Sequence, residues 1–466
     1  MMRSLFSGVA GLKTHQTRMD VIGNNIANVN TTAYKSQSMT FSELMYQTTQ
    51  SASGANPTTG VGGVNARQIG LGSKTGAIKT AISGQGASQT TNDPFDLMIS
   101  GDAFFVVSNG SDNFFTRDGS FYVDGKGNLA MTSTGYNVMG WQVVKDPATG
   151  AENIKRDTVS ALRIMTPENM TYPPEATSKA TISGIVDKND TDVNSPSGRI
   201  MNLEFYDSQG YKYTAKFSIH ENASATGLSK DNGNFYVQLD GIVDANGNTV
   251  PDNGGISLSS TAVTGAGGLG SATLNYVKGQ GTFENVGGTA GTAGNKSITL
   301  QFDATKFPNF KNIEIDFSAT YNYNVNGTST IGAVAGTSTG EGSGRKIGEM
   351  SGVTIQKDGM IYASYDNGQS RLLGQISTAT FANPSGLAKE GDNLYSATLN
   401  SGDFDGIGED ITVGGGRMDS GVLEMSNVDL SSEFTEMITT QRGFQANSRI
   451  ITVSDTLLEE LTNLKR

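Results

Sequence analysis

Seven-residue apolar repeats at both ends, with a long middle that has none, constrain this chain more than any other feature. Near the N-terminus Leu5, Leu12, Met19 and Ile26 recur at every seventh position, and Ile22 and Val29 follow Met19 and Ile26 by three. Gly8 and His15 hold the equivalent places in the earlier turns. Near the C-terminus Leu430, Met437, Phe444, Ile451 and Leu458 repeat with the same spacing, and Leu461 follows Leu458 by three. A repeat of this kind places its apolar residues along one seam of a helix. The spacing predicts a helix in 1–35 and another in 426–466, paired as a coiled coil. Ser431 or Ser432 is expected to cap the second helix. Glu433 and Glu436 in its first turns, and Lys465 and Arg466 at its end, suit the helix dipole. Gly443 costs about 1 kcal/mol relative to alanine inside a helix, which is tolerable where two helices must approach closely.

The middle obeys a different rule. Glycine supplies 60 of 466 residues and charged residues only 17%. Short alternating runs such as 104–107, 202–206, 213–217 and 360–365 predict strands, and Asp118-Gly119, 124–128 and 366–368 predict tight turns. The fold class is therefore mainly β with α-helical termini. We assign 36–90 to a linker of extended chain. An inner β domain follows in two pieces, 91–178 and 346–425, around an inserted outer β domain, 179–345.

Composition removes several classes of function. The net charge is −12 and the isoelectric point near 4.8, so a nucleic-acid partner is not expected. No apolar run approaches the ~20 residues of a membrane span, so no membrane insertion is expected. Cysteine is absent, which removes disulfides, thiolate metal sites and cysteine nucleophiles. The first apolar run is broken by Ser7, Gly8 and Gly11 and continues into the helical repeat, so a cleaved signal peptide is not expected.

Three motifs invite a chemical reading and fail on context. Residues 265–270 fit G-x-G-x-x-G but open no helix. Residues 336–340 fit G-x-S-x-G around Ser338, but in a low-complexity stretch, and the only histidines are His15 and His220. The acidic run Asp403, Asp405, Glu409 and Asp410 lacks the spacing of a calcium loop and reads as a solvated turn. No catalytic residue, cofactor or metal is expected, and the chain is read as a non-enzyme.

Two stripes at opposite termini, with nothing apolar beside them in sequence, point instead to assembly. The seam is short for the number of residues it must order. The pair is expected to fray in a lone subunit and to be completed by neighbouring copies, with Leu5, Leu12, Met19, Ile22, Ile26, Val29, Met437, Phe444, Ile451, Leu458 and Leu461 at the interface.

Specific segments then carry a resemblance. Residues 20–32, including Asn24, Asn25, Ala27, Asn28, Asn30 and Thr31, followed by Tyr34 and Lys35, resemble the N-terminal signature of the flagellar rod and hook axial proteins. Ala33 stands where that signature usually has glycine. Residues 426–430, and Gln441, Arg442, Gly443, Phe444, Gln445, Ala446, Asn447, Ser448 and Arg449, resemble the C-terminal signature. Residues 101–105, 383–387 and 391–395 are similar to the family's inner β domain. The long insertion points to the hook branch, because rod members are generally shorter.

The resemblance implies a flexible, curved, hollow tube that acts as a universal joint between rod and filament. It implies an extracellular place in the flagellum, in the basal body and hook. Passage there is through the flagellar type III export apparatus, without a cleaved signal. The implied partners are other copies of the chain, the distal rod protein, the hook cap and the hook–filament junction proteins. Without cysteine, no thiol-derived cross-link locks neighbouring copies. Three other readings stay open at this point: a distal rod protein, a secreted calcium-stabilised β-domain adhesin, and a hydrolase built on Ser338.

Overall fold

The computed structural model describes the chain except residues 1, 55–59, 61, 146–151, 223–228, 261–262, 264–265, 293 and 465–466. The expected basic helix end, Lys465 and Arg466, and the first glycine of 265–270 lie outside the described residues. The chain divides into two compact units. One contains 1–169, 352–363 and 370–466, and the other 170–351 and 364–369.

The first unit holds both terminal helices, Met2–Ala27 and Leu430–Asn463. The N-terminal helix stops in a turn where Thr31 donates its hydroxyl to the Asn28 side-chain oxygen and its N–H to the Asn28 carbonyl. Val29 is therefore beyond the helix and does not extend its stripe. The cap of the C-terminal helix is Asp429, whose carboxylate accepts from the backbone N–H groups of Ser431 and Ser432. This corrects the expected serine cap. The helix starts at Leu430, so both serines already lie in its first turn, where their own N–H groups need an acceptor.

Residues 36–90 are not an open linker. Gln37–Glu43 pairs antiparallel with Ser73–Thr80, Tyr46–Gln50 with Arg67–Gly70, and Ser88–Thr90 with Val422–Glu424. The side chains of these strands are mostly exposed. They consequently lack the apolar alternation by which a half-buried strand is recognised.

The main sheet of this unit orders its strands Ser370–Ile376, Asn137–Lys145, Phe104–Ser108, Asn113–Thr116, Leu394–Ser396 and Ala388–Gly391. Phe104, Val106, Phe115 and Tyr395 form its core with Ile82 and Leu387. Leu97–Ser100 pairs with Arg417–Ser420, so segments from both sides of the insertion close the unit. Asp118-Gly119 makes no hairpin. Gly119 instead passes against the Leu97 carbonyl so closely that any Cβ there would collide with it.

The second unit is built on two five-stranded sheets around one core. Met201, Leu203 and Phe205 turn inward between exposed neighbours in Arg199–Tyr206, the period of two that a strand with one wet face requires. Its turns reuse one device. In 207–211 and 244–248, as in 124–128 of the first unit, an aspartate carboxylate accepts the N–H groups two and four residues on, and the glycine at the fourth position has positive φ. Glycine is needed there because a side chain disfavours that backbone region. Asp187 and Asp190 are buried and accept the backbone N–H groups of Val325, Gly327 and Ser329, binding two loops together.

Candidate functional site

Among the described residues no His, Cys, Asp or Glu side chains gather as a metal site. Asp405, Glu409 and Asp410 of the acidic run are engaged by protein groups. Asp405 accepts the N–H groups of Ile407 and Gly408, and Asp410 pairs with Arg156 at 2.7 Å. Gly270 opens the strand Gly270–Tyr276 rather than a helix. His220 hydrogen-bonds Ser218 and stacks on Tyr236. No described helix is long and apolar enough to cross a membrane.

The two terminal helices meet in opposite directions. A Cβ added to Gly8 would lie 3.4 Å from Ile451, one on Gly11 2.9 Å from the Asn447 amide, and one on Gly443 2.6 Å from the His15 ring. Farther along, Arg18 pairs with Glu436 at 3.0 Å, and Asn25 donates to Glu433 at 2.9 Å. The partner numbers fall as the N-terminal helix advances, which fixes an antiparallel arrangement. Glycines on both helices let the backbones approach.

The seam differs from an all-apolar one. Ile22 is buried, whereas Leu5, Leu12, Met19, Ile26, Met437, Phe444, Ile451 and Leu458 are half-buried and Leu461 is exposed. The buried residues of the C-terminal helix are Thr440 and Ser454, each three positions beyond a heptad residue. Thr14 and Asn25 are buried on the N-terminal helix. A search for apolar repeats passes over these small and polar positions. The usable signal was the regular series Glu433, Thr440, Asn447 and Ser454, spaced by seven. The N-terminal helix also leans on the strand Gln37–Glu43, where His15 meets Phe41 edge-on at 5.3 Å. The stripes are thus not without neighbours, as their sequence surroundings suggested.

The motif after the N-terminal helix is a hydrogen-bonded knot. Asn25 is wholly buried; its amide donates to Gln37 O and Glu433, and its oxygen accepts from Gln37 N and the Tyr34 hydroxyl. Ala33 has φ +55°, and its N–H donates to Glu424 O. That left-handed backbone is the physical reason glycine suits the position. Lys35 reaches Glu424 at 2.6 Å and Gly84 O at 2.7 Å. Asn427 accepts Ser36 N–H and donates to the carbonyls of Ala81 and Gly84. The segments before the C-terminal helix and after the N-terminal one are therefore tied to the same strand region.

The C-terminal motif splits by face. Gly443, Phe444, Asn447 and Ser448 are partly covered, whereas Gln441, Arg442, Gln445, Ala446 and Arg449 are exposed. Asn24, Ala27 and Asn30 are exposed as well, and Asn24 donates to the Tyr34 hydroxyl. Further apolar residues stay exposed: Phe6 and Val9 on one helix, and Phe434, Ile438, Ile450, Val453 and Leu457 on the other.

Gly443→Ala is expected to destabilise the helix pair by up to about 2 kcal/mol. The methyl gains roughly 1 kcal/mol of helix propensity, but overpacking costs about 1–3 kcal/mol, because the His15 ring is held against Phe41. Thermal melts of Gly443→Ala, His15→Ala and the double variant would show a coupling between the sites. Strictly additive effects would contradict the contact.

Burial, and then the charge of Arg18, hold the His15 imidazole below its usual pKa. The folded chain therefore binds fewer protons than the unfolded one between that lowered value and about 6.5. Stability of the helix pair should fall as pH drops through this window. Burial raises the Glu433 carboxyl, assisted by Glu436 and Asp429 and opposed by the Asn25 hydrogen bond and Arg18. Glu433 thus acts in the opposite sense, favouring the pair as pH falls toward the ordinary carboxylate range. Helix melting by circular dichroism between pH 7.5 and 5.5 should show the His15 loss, and His15→Gln should flatten it. An unchanged slope in that variant would refute the assignment.

Comparison with known proteins covers these same segments. Residues 5–35 match the family description "Flagella basal body rod protein", residues 98–184 "Flagellar hook protein FlgE/F/G D1 domain", and residues 419–464 "Flagellar basal body rod FlgEFG protein C-terminal". The chain is 35% identical to the flagellar hook protein FlgE of Borreliella burgdorferi and 34% identical to that of Treponema pallidum, over 100% of each chain. It is 29% identical to the flagellar basal-body rod protein FlgG of Bacillus subtilis, again over 100% of both. A relative named as a rod protein thus spans the full length, which corrects the expectation that length separates the two branches.

Proposed function

This chain belongs to the flagellar hook protein family, and on that premise we propose that its paired terminal helices form the polymerisation element of a hook subunit. The protein is a structural subunit of the flagellar hook. In our reading the two helices form an antiparallel coiled coil, and the inserted β unit, near 179–345, is a separate compact body. The observation that carries this reading is the apolar surface the paired helices leave open. After the helices have met, Phe434, Ile438, Ile450, Val453, Leu457 and Phe6 remain exposed. Exposed apolar surface of this kind marks an association surface.

Neighbouring copies would cover that surface, and the exposed motif residues Gln441, Arg442, Gln445, Ala446 and Arg449 would contact them. The tube would serve as a flexible joint outside the cell. Its subunits would travel unfolded through the flagellar type III export apparatus. The tube's partners would be the distal rod protein, the hook cap and the hook–filament junction proteins. Electron microscopy of the purified polymer tests the assignment. Curved, supercoiled hollow tubes are expected, whereas straight rigid rods would favour a rod protein instead.

A further inference from the structure

Among the described residues, the antiparallel register carries the last turns of the C-terminal helix past Met2. Gly8 lies against Ile451, Gly11 against Asn447 and His15 against Gly443. Carried back to Met2 at equal rise, this register ends near residue 457. Residues 459–464 then extend about 9 Å past the N-terminal helix. They carry Leu461 and Leu464, 49% and 82% exposed, and with the exposed Leu457 these leucines share one side of the helix, with Glu460 beside them.

On the same unit, the N-terminal helix and the loops next to its paired strands enclose an apolar groove of about 460 Å³. Phe6, Val9, Met45 and Leu71 line it, and the exposed Arg3 and Lys13 lend cations to its edge. At 100° per residue, Phe6 and Lys13 project nearly opposite to Gly8, Gly11 and His15, so the chain's own C-terminal helix does not occupy the groove.

We propose that this groove receives the last turns of the C-terminal helix of a second copy, with Leu457, Leu461 and Leu464 in the groove and Glu460 facing Arg3 or Lys13. The inference rests on the polymerisation reading above and names the contact within it. Polarity and charge match, apolar side to apolar groove and the Glu460 carboxylate to the cations of Arg3 and Lys13. The two patches differ, so the contact is head-to-tail and propagates along a filament instead of closing as a symmetric dimer.

The absence of native cysteine makes the test clean. Phe6→Cys and Leu461→Cys are made as separate full-length proteins, mixed, assembled and oxidised. Val9→Cys replaces Phe6→Cys if the latter does not assemble. A mixed disulfide in the sedimented polymer is the expected result. Polymer that forms without the mixed disulfide, or with Leu461→Cys linked only to itself, overturns the groove contact and leaves polymerisation standing. Failure of the unsubstituted chain to polymerise overturns both. In a second arm, Glu460→Lys should raise the concentration needed for assembly about two- to five-fold, and Lys13→Glu or Arg3→Glu in the same chain should restore it. Equal assembly by Glu460→Lys and the unsubstituted chain would contradict the charge pairing.

Discussion

Replacing Glu424 with alanine is expected to lower the unfolding free energy of the first unit by about 3–5 kcal/mol, the usual result of removing one partner from a buried ion pair. Lys35 and Glu424 are 1% and 0% exposed, and their charged atoms are 2.6 Å apart. Burial lowers the pKa of Lys35, and the neighbouring Glu424 carboxylate is the main influence keeping its ammonium charged. Without that carboxylate the ammonium retains the Gly84 carbonyl as its acceptor, and the Gly86 N–H loses its own acceptor.

The loss should be large because the pair sits where three segments converge: the turn after the N-terminal helix, the region 81–88, and the strand Val422–Glu424. Replacing both residues, as Lys35→Met with Glu424→Leu, should recover much of the stability, since buried pairs are often matched by apolar residues of similar volume. Trp141 is the chain's single tryptophan and lies buried in this unit, so its fluorescence during denaturant unfolding reports the unit locally. A loss below about 1 kcal/mol would contradict the account.

How much of this was legible in the sequence depends on which side chains carry each feature. The helices were visible because Leu12, Met19, Phe444 and Ile451 repeat at a helical period, and a large apolar residue is an unambiguous mark. Strands such as Arg199–Tyr206 were visible because burial alternates along them. Strands between 36 and 90 were not, because their faces are exposed and their residues polar. Nor was the knot of Asn25, Tyr34, Lys35, Glu424 and Asn427. Its two halves, 25–35 and 424–427, lie far apart in sequence, Lys35 and Glu424 by 389 residues, and only the fold brings them together. The family signature marked Asn25 and Lys35 without giving a reason. The reason is that Asn25 and Lys35 are buried, and buried polar groups need partners when removed from water. The polar half of the helix seam was missed for a similar cause, since Thr440 and Ser454 resemble surface residues until the opposing helix is in place.

Deleting residues 431–466 is expected to abolish assembly outright while both β units keep their folds. The deletion removes Met437, Phe444, Ile451 and Leu458 from the seam together with the exposed Phe434, Ile438, Val453 and Leu457. It uncovers Gly8, Gly11 and Asn25 on the remaining helix, which keeps only its contact with the strand region. The two β cores do not depend on the deleted segment: the first is built around Phe104, Val106 and Phe115, and the second around Phe205, Phe217 and Phe317. The consequence should therefore fall on polymerisation and not on the fold.

Sedimentation followed by electron microscopy of the truncated and full-length proteins, under identical conditions, tests this most directly. Tubes from the full-length chain and a soluble, folded, non-polymerising truncated chain are the predicted result. Tubes assembled from the truncated chain would contradict the claim that the terminal helices build the polymer.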